Sequence, residues 1–343
     1  MVRKILAQMR KGFLGDTLWS LGTGSTGDLH ALLREIGVLR LNAKSFGYRI
    51  ARELAPRLTK IDTATEPRPH GVHSKPATQA DMESPWFAYW CNELKIAPVY
   101  HRKLWEYAFV LQALFEHGKL APGLRALGFG CGEEPIASYL ASKGIDVTVT
   151  DLEPARARGL GWMETGQHAT ALEQAFKPEI IAKEAFDRRV RLEYVDMNDI
   201  PAHLAGKYDF CWSICALEHL GSIEQGLRFV ERAMSTLKPG GLAVHTTEFN
   251  YLSQDDTISQ GPVVMFLRKH LTDVKARLER DGHQIKDVDF DVGEGILDCF
   301  IDVPPYAWEG RDKYPWENGV GHVKLSLDGF PCTCFGLIAE RGT

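Results

Sequence analysis

The chain has no run of eighteen apolar residues, which excludes a helix built to span a bilayer. Its seven cysteines, an odd number, stand at 91, 131, 211, 215, 299, 332 and 334, and none has the C-x2-C spacing of a zinc knuckle or redox motif. They are expected as reduced, small apolar side chains. The first ten residues carry basic groups with no apolar stretch behind them, so no secretory leader is expected, and the expected setting is cytoplasmic. No repeat recurs at a fixed period. His70 and His73 lie in a Pro/Thr/Ser-rich stretch without further close ligands, so no metal site is expected there.

What is present suits an ordinary globular core: 343 residues, 44% apolar and 25% charged. That length fits two domains, or one large α/β domain with additions. Charge is uneven. Residues 1–60 hold eleven Lys/Arg against four acids, a local +7, while the rest of the chain carries −12. A basic arm on an acidic body is suited to peripheral contact with an anionic membrane surface or to an acidic partner; it also fits docking on its own body. The acidic body argues against a nucleic-acid binder, and a homodimer is one further expectation.

Residues 1–60 read as short helices broken at Gly22–Gly27, with Asp28 capping the next helix and Leu29, Leu32, Leu33 and Ile36 on one stripe. Thr63 to Glu83, with three prolines, reads as a linker or loosely held loop. A helix is expected from about Arg102, carrying Trp105, Phe109, Leu111 and Leu114. From Leu124 onward short apolar runs alternate with helical stretches, the pattern of a parallel sheet covered on both faces. Asp328-Gly329 between alternating runs signals a final hairpin.

The first strand of that series runs into Leu127-Gly-Phe-Gly-Cys-Gly-Glu-Glu-Pro135 and then a helix. Glycines in such a turn let backbone approach a ligand and aim N–H groups at it. The second strand ends at Asp151, nineteen residues past Gly132, where a carboxylate takes the ribose hydroxyls of an adenosine. A pyrophosphate would confront Glu133 and Glu134, whose charge repels it. A phosphate-free, positively charged cofactor tolerates them, which favours S-adenosylmethionine over a dinucleotide.

On these residues the segment Leu124–Arg341 resembles a class I S-adenosylmethionine-dependent methyltransferase. Leu127–Gly132 matches the first glycine motif, Asp151 the ribose acid, and Asp196-Met197 the adenine contact after the third strand. Tyr208–Ser213 resembles the fourth strand, Leu217-Glu-His-Leu-Gly221 the segment over the reacting centre, and Leu237-Lys-Pro-Gly-Gly241 the turn before the fifth strand. The resemblance implies a Rossmann-like α/β fold, a seven-stranded mixed sheet with a helical N-terminal extension. It places the extension and linker at 1–83 and the methyltransferase domain at 84–343: a helical lid at 84–120, a sheet core at 121–285, and a substrate loop with terminal hairpin at 286–343. Cofactor contacts are expected at Gly128, Gly130, Gly132, Asp151, Leu152, Asp196, Met197 and Ser213. Where the family usually carries an acid before the first invariant turn glycine this chain has Gly128, so the methionine amino group is expected to use backbone carbonyls near Gly128 and Ser213. A looser resemblance, through Trp86–Glu106 with its His101-Arg-Lys-Leu-Trp-Glu106, is to methyltransferases of bacterial polysaccharide gene clusters; it offers Arg102 or Lys103 to the methionine carboxylate.

Methyl transfer to a hydroxyl needs in-line alignment and removal of a proton. His219, at the carboxyl edge of the sheet, is the expected base, with Glu218 orienting it and Glu248 as second candidate. A metal-dependent variant of the family has a glutamate where this chain has Cys215, so no metal is expected. Tyr306, Trp308 and Arg311, in an aromatic and acidic loop, suit a sugar or glycan acceptor. The alternatives are a lipid-modifying or cyclopropane-synthase-like enzyme, and a silent module that binds the cofactor or a partner without turnover.

Overall fold

The structure, a computed structural model, describes residues 26–61, 66–154, 172–304, 306 and 321–343. The chain divides into two compact units, 1–49 and 50–343. Helix α1 spans Thr26–Thr59 as one piece of 34 residues, where short helices were expected. Asp28 falls inside its first turn. Of the expected apolar stripe, Leu29, Leu33 and Ile36 are exposed. In the second unit, Ala51, Leu54 and Leu58 of the same helix are buried.

The second unit is built on one sheet. Its strands are β1 (Lys75–Pro76), β2 (Arg125–Phe129), β3 (Asp146–Asp151), β4 (Val190–Tyr194), β5 (Tyr208–Ile214), β6 (Leu237–Asn250), β7 (Gln284–Ile285), β8 (Ile301–Asp302), β9 (Lys324–Leu327) and β10 (Phe330–Glu340). The order is β4-β3-β2-β5-β6-β10-β9-β8, with β1 and β7 also pairing β10. Strands β2 to β6 are parallel neighbours, and β10 runs antiparallel to β6. The chain winds one way from β2 to β4 and then returns to lay β5 on the other side of β2. That reversal opens a crevice at the carboxyl ends of β2 and β5, where such sheets bind ligands. Seven of these strands make the expected mixed sheet; β1, β8 and β9 are short additions.

Two expectations change on contact with the structure. The Pro-rich stretch before Glu83 is no loose loop where it is described. Lys75 and Pro76 pair with Gly336 and Phe335, and Ser74, Ala77, Thr78 and Gln79 are buried. Proline is tolerated there because β1 is a short edge strand, where a lost donor costs little. The Lys-Pro-Gly-Gly stretch, expected as a turn, is continuous with the long strand β6; the register with β5 shifts between Tyr208 and Phe210 to absorb it. The hairpin at Asp328-Gly329 is as expected: both residues have positive φ, +47° and +84°, the turn that matches strand twist.

Helices α2 (Gln79–Met82), α3 (Pro85–Glu93) and α4 (Arg102–Glu116) precede β2. Helix α4 is the element that matters for the site. It is buried along nearly its whole length, with Trp105 stacked on Phe109 at 4.8 Å and donating from Nε1 to Asp81 at 2.9 Å. It lies so close to β10 that a Cβ at Gly336 would sit 2.2 Å from the Phe109 ring. Its start is thereby held over the sheet edge, with Arg102 and Lys103 in the first turn. Helices α5 (Ile136–Ser142), α6 (Lys183–Arg189), α7 (Ile223–Met234) and α8 (Arg268–Arg280) complete the layers.

The segment ahead of α2 is tied down by charge as well as by pairing. Lys324 of β9 is fully buried, and its ammonium donates to Asp298 at 3.0 Å and to the carbonyl of Ala77. Removing one partner of a buried pair strands the other charge, at a cost of about 3–5 kcal/mol. Lys324→Ala is therefore expected to lower unfolding stability by about that much, measured by urea denaturation; a loss under about 1 kcal/mol would show that Asp298 is satisfied by the backbone N–H groups of Gln79 and Gly295 alone.

Candidate active site

The crevice begins at the glycine turn after β2. Gly130 and Gly132 have φ of +59° and +52°, values that L side chains rarely adopt. A Cβ on Gly130 would also meet Ala216 at 2.9 Å and Met197 Sδ at 3.4 Å. The turn thus has β5's exit on one side and the loop after β4 on the other. Asp151, at the end of β3, accepts from Gly132 N–H at 3.2 Å and from Leu152 N–H at 2.8 Å. Asp196 accepts from Asn198 N–H at 2.8 Å, and Met197 is buried beside the turn. An apolar Met flank, a carboxylate at the second strand's end and a glycine backbone fit an adenosine laid across β4, β3 and β2. The structure brings Gly130, Gly132, Asp151, Leu152, Asp196 and Met197 together at this place.

Gly128 and Ser213 lie near the carboxyl ends of β2 and β5. The Gly128 carbonyl accepts the Thr150 hydroxyl at 2.8 Å, and the Ser213 hydroxyl is bonded to His245 at 2.8 Å. Of the two acids expected to confront a phosphate, Glu133 bonds Gln174 at 3.2 Å, whereas Glu134 turns inward and accepts from Trp212 Nε1 at 2.5 Å. The repulsion argument therefore rests on Glu133 alone. Burial pushes Glu134 up to about 8, against the pull of the Trp212 N–H and the Lys103 charge.

Beyond the turn, toward β6 and β10, lies a cluster of buried charges. Arg102 ion-pairs with Glu248 and donates to Cys334 Sγ at 3.2 Å. That commitment places Arg102 on the β6–β10 side of the crevice. Lys103 pairs with Glu106 at 3.2 Å, and Glu106 accepts the Thr246 hydroxyl. Burial alone would raise Glu106, but Lys103 and Arg102 prevail and hold it below the ordinary carboxylate value. Glu218 accepts the Thr247 hydroxyl at 3.1 Å through one oxygen; its other oxygen, like one of Glu248, is buried without a hydrogen-bond partner. Burial first, and the Glu248 charge second, push Glu218 up to about 8. Cys215, at φ +45°, lies with its Sγ 3.7 Å from Cys334 Sγ, and burial pushes both thiols up. Cys215, Glu218 and Glu248 fall within 4.8 Å of one another, but Arg102 and Lys103 already supply cations to this cluster.

His219 sits in the short 3-10 turn Leu217–His219 that caps this cluster. Its Nδ1 lies 2.9 Å from the Pro262 carbonyl, which can only accept, so Nδ1 carries the proton and the basic lone pair is on Nε2. Burial lowers the imidazole below its ordinary value and keeps it neutral near pH 7. Tyr306 is buried, its ring 5.1 Å from His322 and its hydroxyl given to the Ser326 carbonyl, so it packs the wall beside β9. Trp308 and Arg311 lie outside the described residues. Sequence reasoning missed Glu106, Thr246, Thr247, Trp212 and Cys334, which no motif links and which meet only through α4, β5, β6 and β10. The signal that existed was the repeated buried polarity of Thr246-Thr-Glu248 inside an apolar strand.

Because Glu218 folds with a raised pKa, its protonated form is the one the fold favours. The stability it contributes is whole below its unfolded value, near 4, and is lost as pH climbs through about 8. Glu218→Gln, which cannot ionise, should therefore gain stability over wild type progressively between about pH 5 and 8 and hold that gain above. Urea midpoints across that range check it; a constant difference at all pH values would contradict it.

A methyltransferase-domain family model matches residues 100–286, more than half of the chain and spanning α4 to β7. No curated protein matches the sequence. Among solved structures the chain is similar to the [4+2]-cyclase SpnF at 17% identity, covering 88% of this chain and 97% of that one, TM-score 0.44. It is similar also to an S-adenosylmethionine-dependent methyltransferase from Aquifex aeolicus, at 17% identity over 67% of this chain and 88% of that, TM-score 0.35. A third is phosphoethanolamine N-methyltransferase 2 from Haemonchus contortus, solved with S-adenosyl-L-methionine, at 16% identity over 68% of this chain and 52% of that, TM-score 0.41. By its family match, with the glycine turn, Asp151 and Met197 assembled at one sheet edge, the chain belongs to the methyltransferase-domain family and is an S-adenosylmethionine-dependent methyltransferase.

Proposed function

We propose that the enzyme methylates a hydroxyl of a sugar or glycan-type acceptor, with His219 as general base. The observation that carries this reading is the Nδ1 contact of His219 to the Pro262 carbonyl, which fixes the tautomer a base requires. When bound, S-adenosylmethionine supplies a methyl group on a cationic sulfur. This chain's part is to place the acceptor oxygen in line and to take its proton at Nε2. Asp151 holds the ribose, Asp196 and Met197 the adenine, and the glycine turn the centre. On the acceptor side Glu218, Glu248, Thr247 and Arg102 offer a lining of hydrogen-bonding groups, suited to an acceptor with several hydroxyls. The same lining disfavours an acyl chain, since buried carboxylates beside methylenes forfeit hydration without return. A lipid-modifying enzyme is therefore the second reading, and a silent cofactor-binding module the third.

Release of labelled methyl groups to an oligosaccharide and sugar-nucleotide pool, against a lipid-extract pool, separates the three. Turnover is expected on the first. His219→Ala should lower kcat by about 10²–10⁴ while leaving the cofactor Kd within about twofold, and the loss should be smaller at high pH. Turnover only on the lipid pool, or an undiminished kcat in the variant, contradicts the reading.

A further inference from the structure

Position 128 has no room for a side chain. A Cβ there would lie 2.3 Å from Cys131 Sγ and 2.4 Å from Trp212 Cζ2. The Trp212 indole, on the neighbouring strand and in register with Gly128, fills that space. The carbonyl of Gly128 and the hydroxyl of Ser213 are taken by Thr150 and His245. The same indole fastens an acid: its Nε1 donates to Glu134, two residues past Gly132, and that glutamate is only 7% exposed. The sheet order says which part of a ligand lies nearby. With adenine at the β4 loop and ribose at β3, the remaining methionine end extends past β2 toward β5 and α4, the side on which Glu134 is held.

We propose that Glu134 is the acid that serves the positively charged methionine end of the cofactor, and that it gives up a proton to solvent when the cofactor binds. The groups facing it are Lys103, Glu106 and Tyr107 from α4 and Cys131 from the turn; Asp151 of β3 acts on Cys131 of the same turn. Near neutral pH Glu134 holds its proton, since burial outweighs the single cation Lys103. An arriving ammonium and sulfonium add positive charge and favour the carboxylate. Binding below about pH 8 then releases protons, and affinity rises with pH up to about 8 and levels off above. The inference concerns the cofactor alone and holds whichever acceptor is used.

Calorimetric titration of the full-length protein with S-adenosylmethionine, near pH 7 in buffers of different ionisation enthalpy, counts the protons. Wild type should release about half a proton per cofactor, and Glu134→Gln, which keeps an oxygen for Trp212, about none. The variant should bind about tenfold more weakly near pH 8 and about equally near pH 6. S-adenosylhomocysteine, which lacks the sulfonium, should release fewer. Wild type releasing no proton overturns the proposal even if Glu134→Gln folds poorly, as does a release unchanged in that variant.

Discussion

Two cations in the first turn of a buried helix are the constraint around which the active site is arranged. Arg102 and Lys103 stand at the end of α4 where the helix dipole is already positive, an arrangement that costs about 0.3–1 kcal/mol per charge before burial is counted. Neither can stay there without an anion in contact. Glu248, from β6, and Glu106, one turn along α4, provide it. The pairs occupy Glu248 and Glu106, so Glu134 and Glu218, beside them, have no full countercharge and are displaced toward their neutral forms. The cluster at the start of α4 is thus nearly balanced in charge yet rich in groups able to change it, a setting suited to a reaction in which a positive sulfur becomes neutral.

Packing explains why these groups keep their places. α4 is wedged against β10 by the Phe109 ring over Gly336, and is pinned further by the Trp105–Asp81 bond. The charged cluster beyond the glycine turn is therefore made from parts of the chain far apart in sequence. Helix α4 brings the cations, β6 the carboxylate and hydroxyls, β10 a thiol, and the turn after β5 the histidine. The cofactor side is local by comparison, since the glycine turn, Asp151 and the β4 loop follow one another in sequence.

That difference sets what could be read from residues alone. Backbone-driven features were legible: the Gly130 and Gly132 turn needs positive φ, Asp151 ends an apolar strand, and Asp328-Gly329 makes the hairpin that its neighbours' alternation demands. The placement of α4 and its start near Arg102 followed from its aromatic spacing. Features that depend on distant pairing were hidden. A Pro-rich stretch became an edge strand because β10 offered a partner, and Arg102 turned to Glu248 because strand β6 carried that acid past its N-terminal turn. Glu134 reads in the sequence, beside Glu133, as an acid that would confront a phosphate; only the indole of Trp212, on another strand, draws it inside.

The hub role of β10 bears on how the molecule is made. This strand pairs with β6, β9, β1 and β7, and the Ile338 amide donates to Ser74, 264 positions earlier. During synthesis the parallel half from β2 to β6 can collapse while β6 still shows a bare apolar edge to solvent or to other nascent chains. Closure of that edge waits until the ribosome has released nearly everything described here, so the long-range contacts form last and slowly. The growing polypeptide is then most exposed to aggregation in the interval between completing β6 and completing β10, when a chaperone has most to protect.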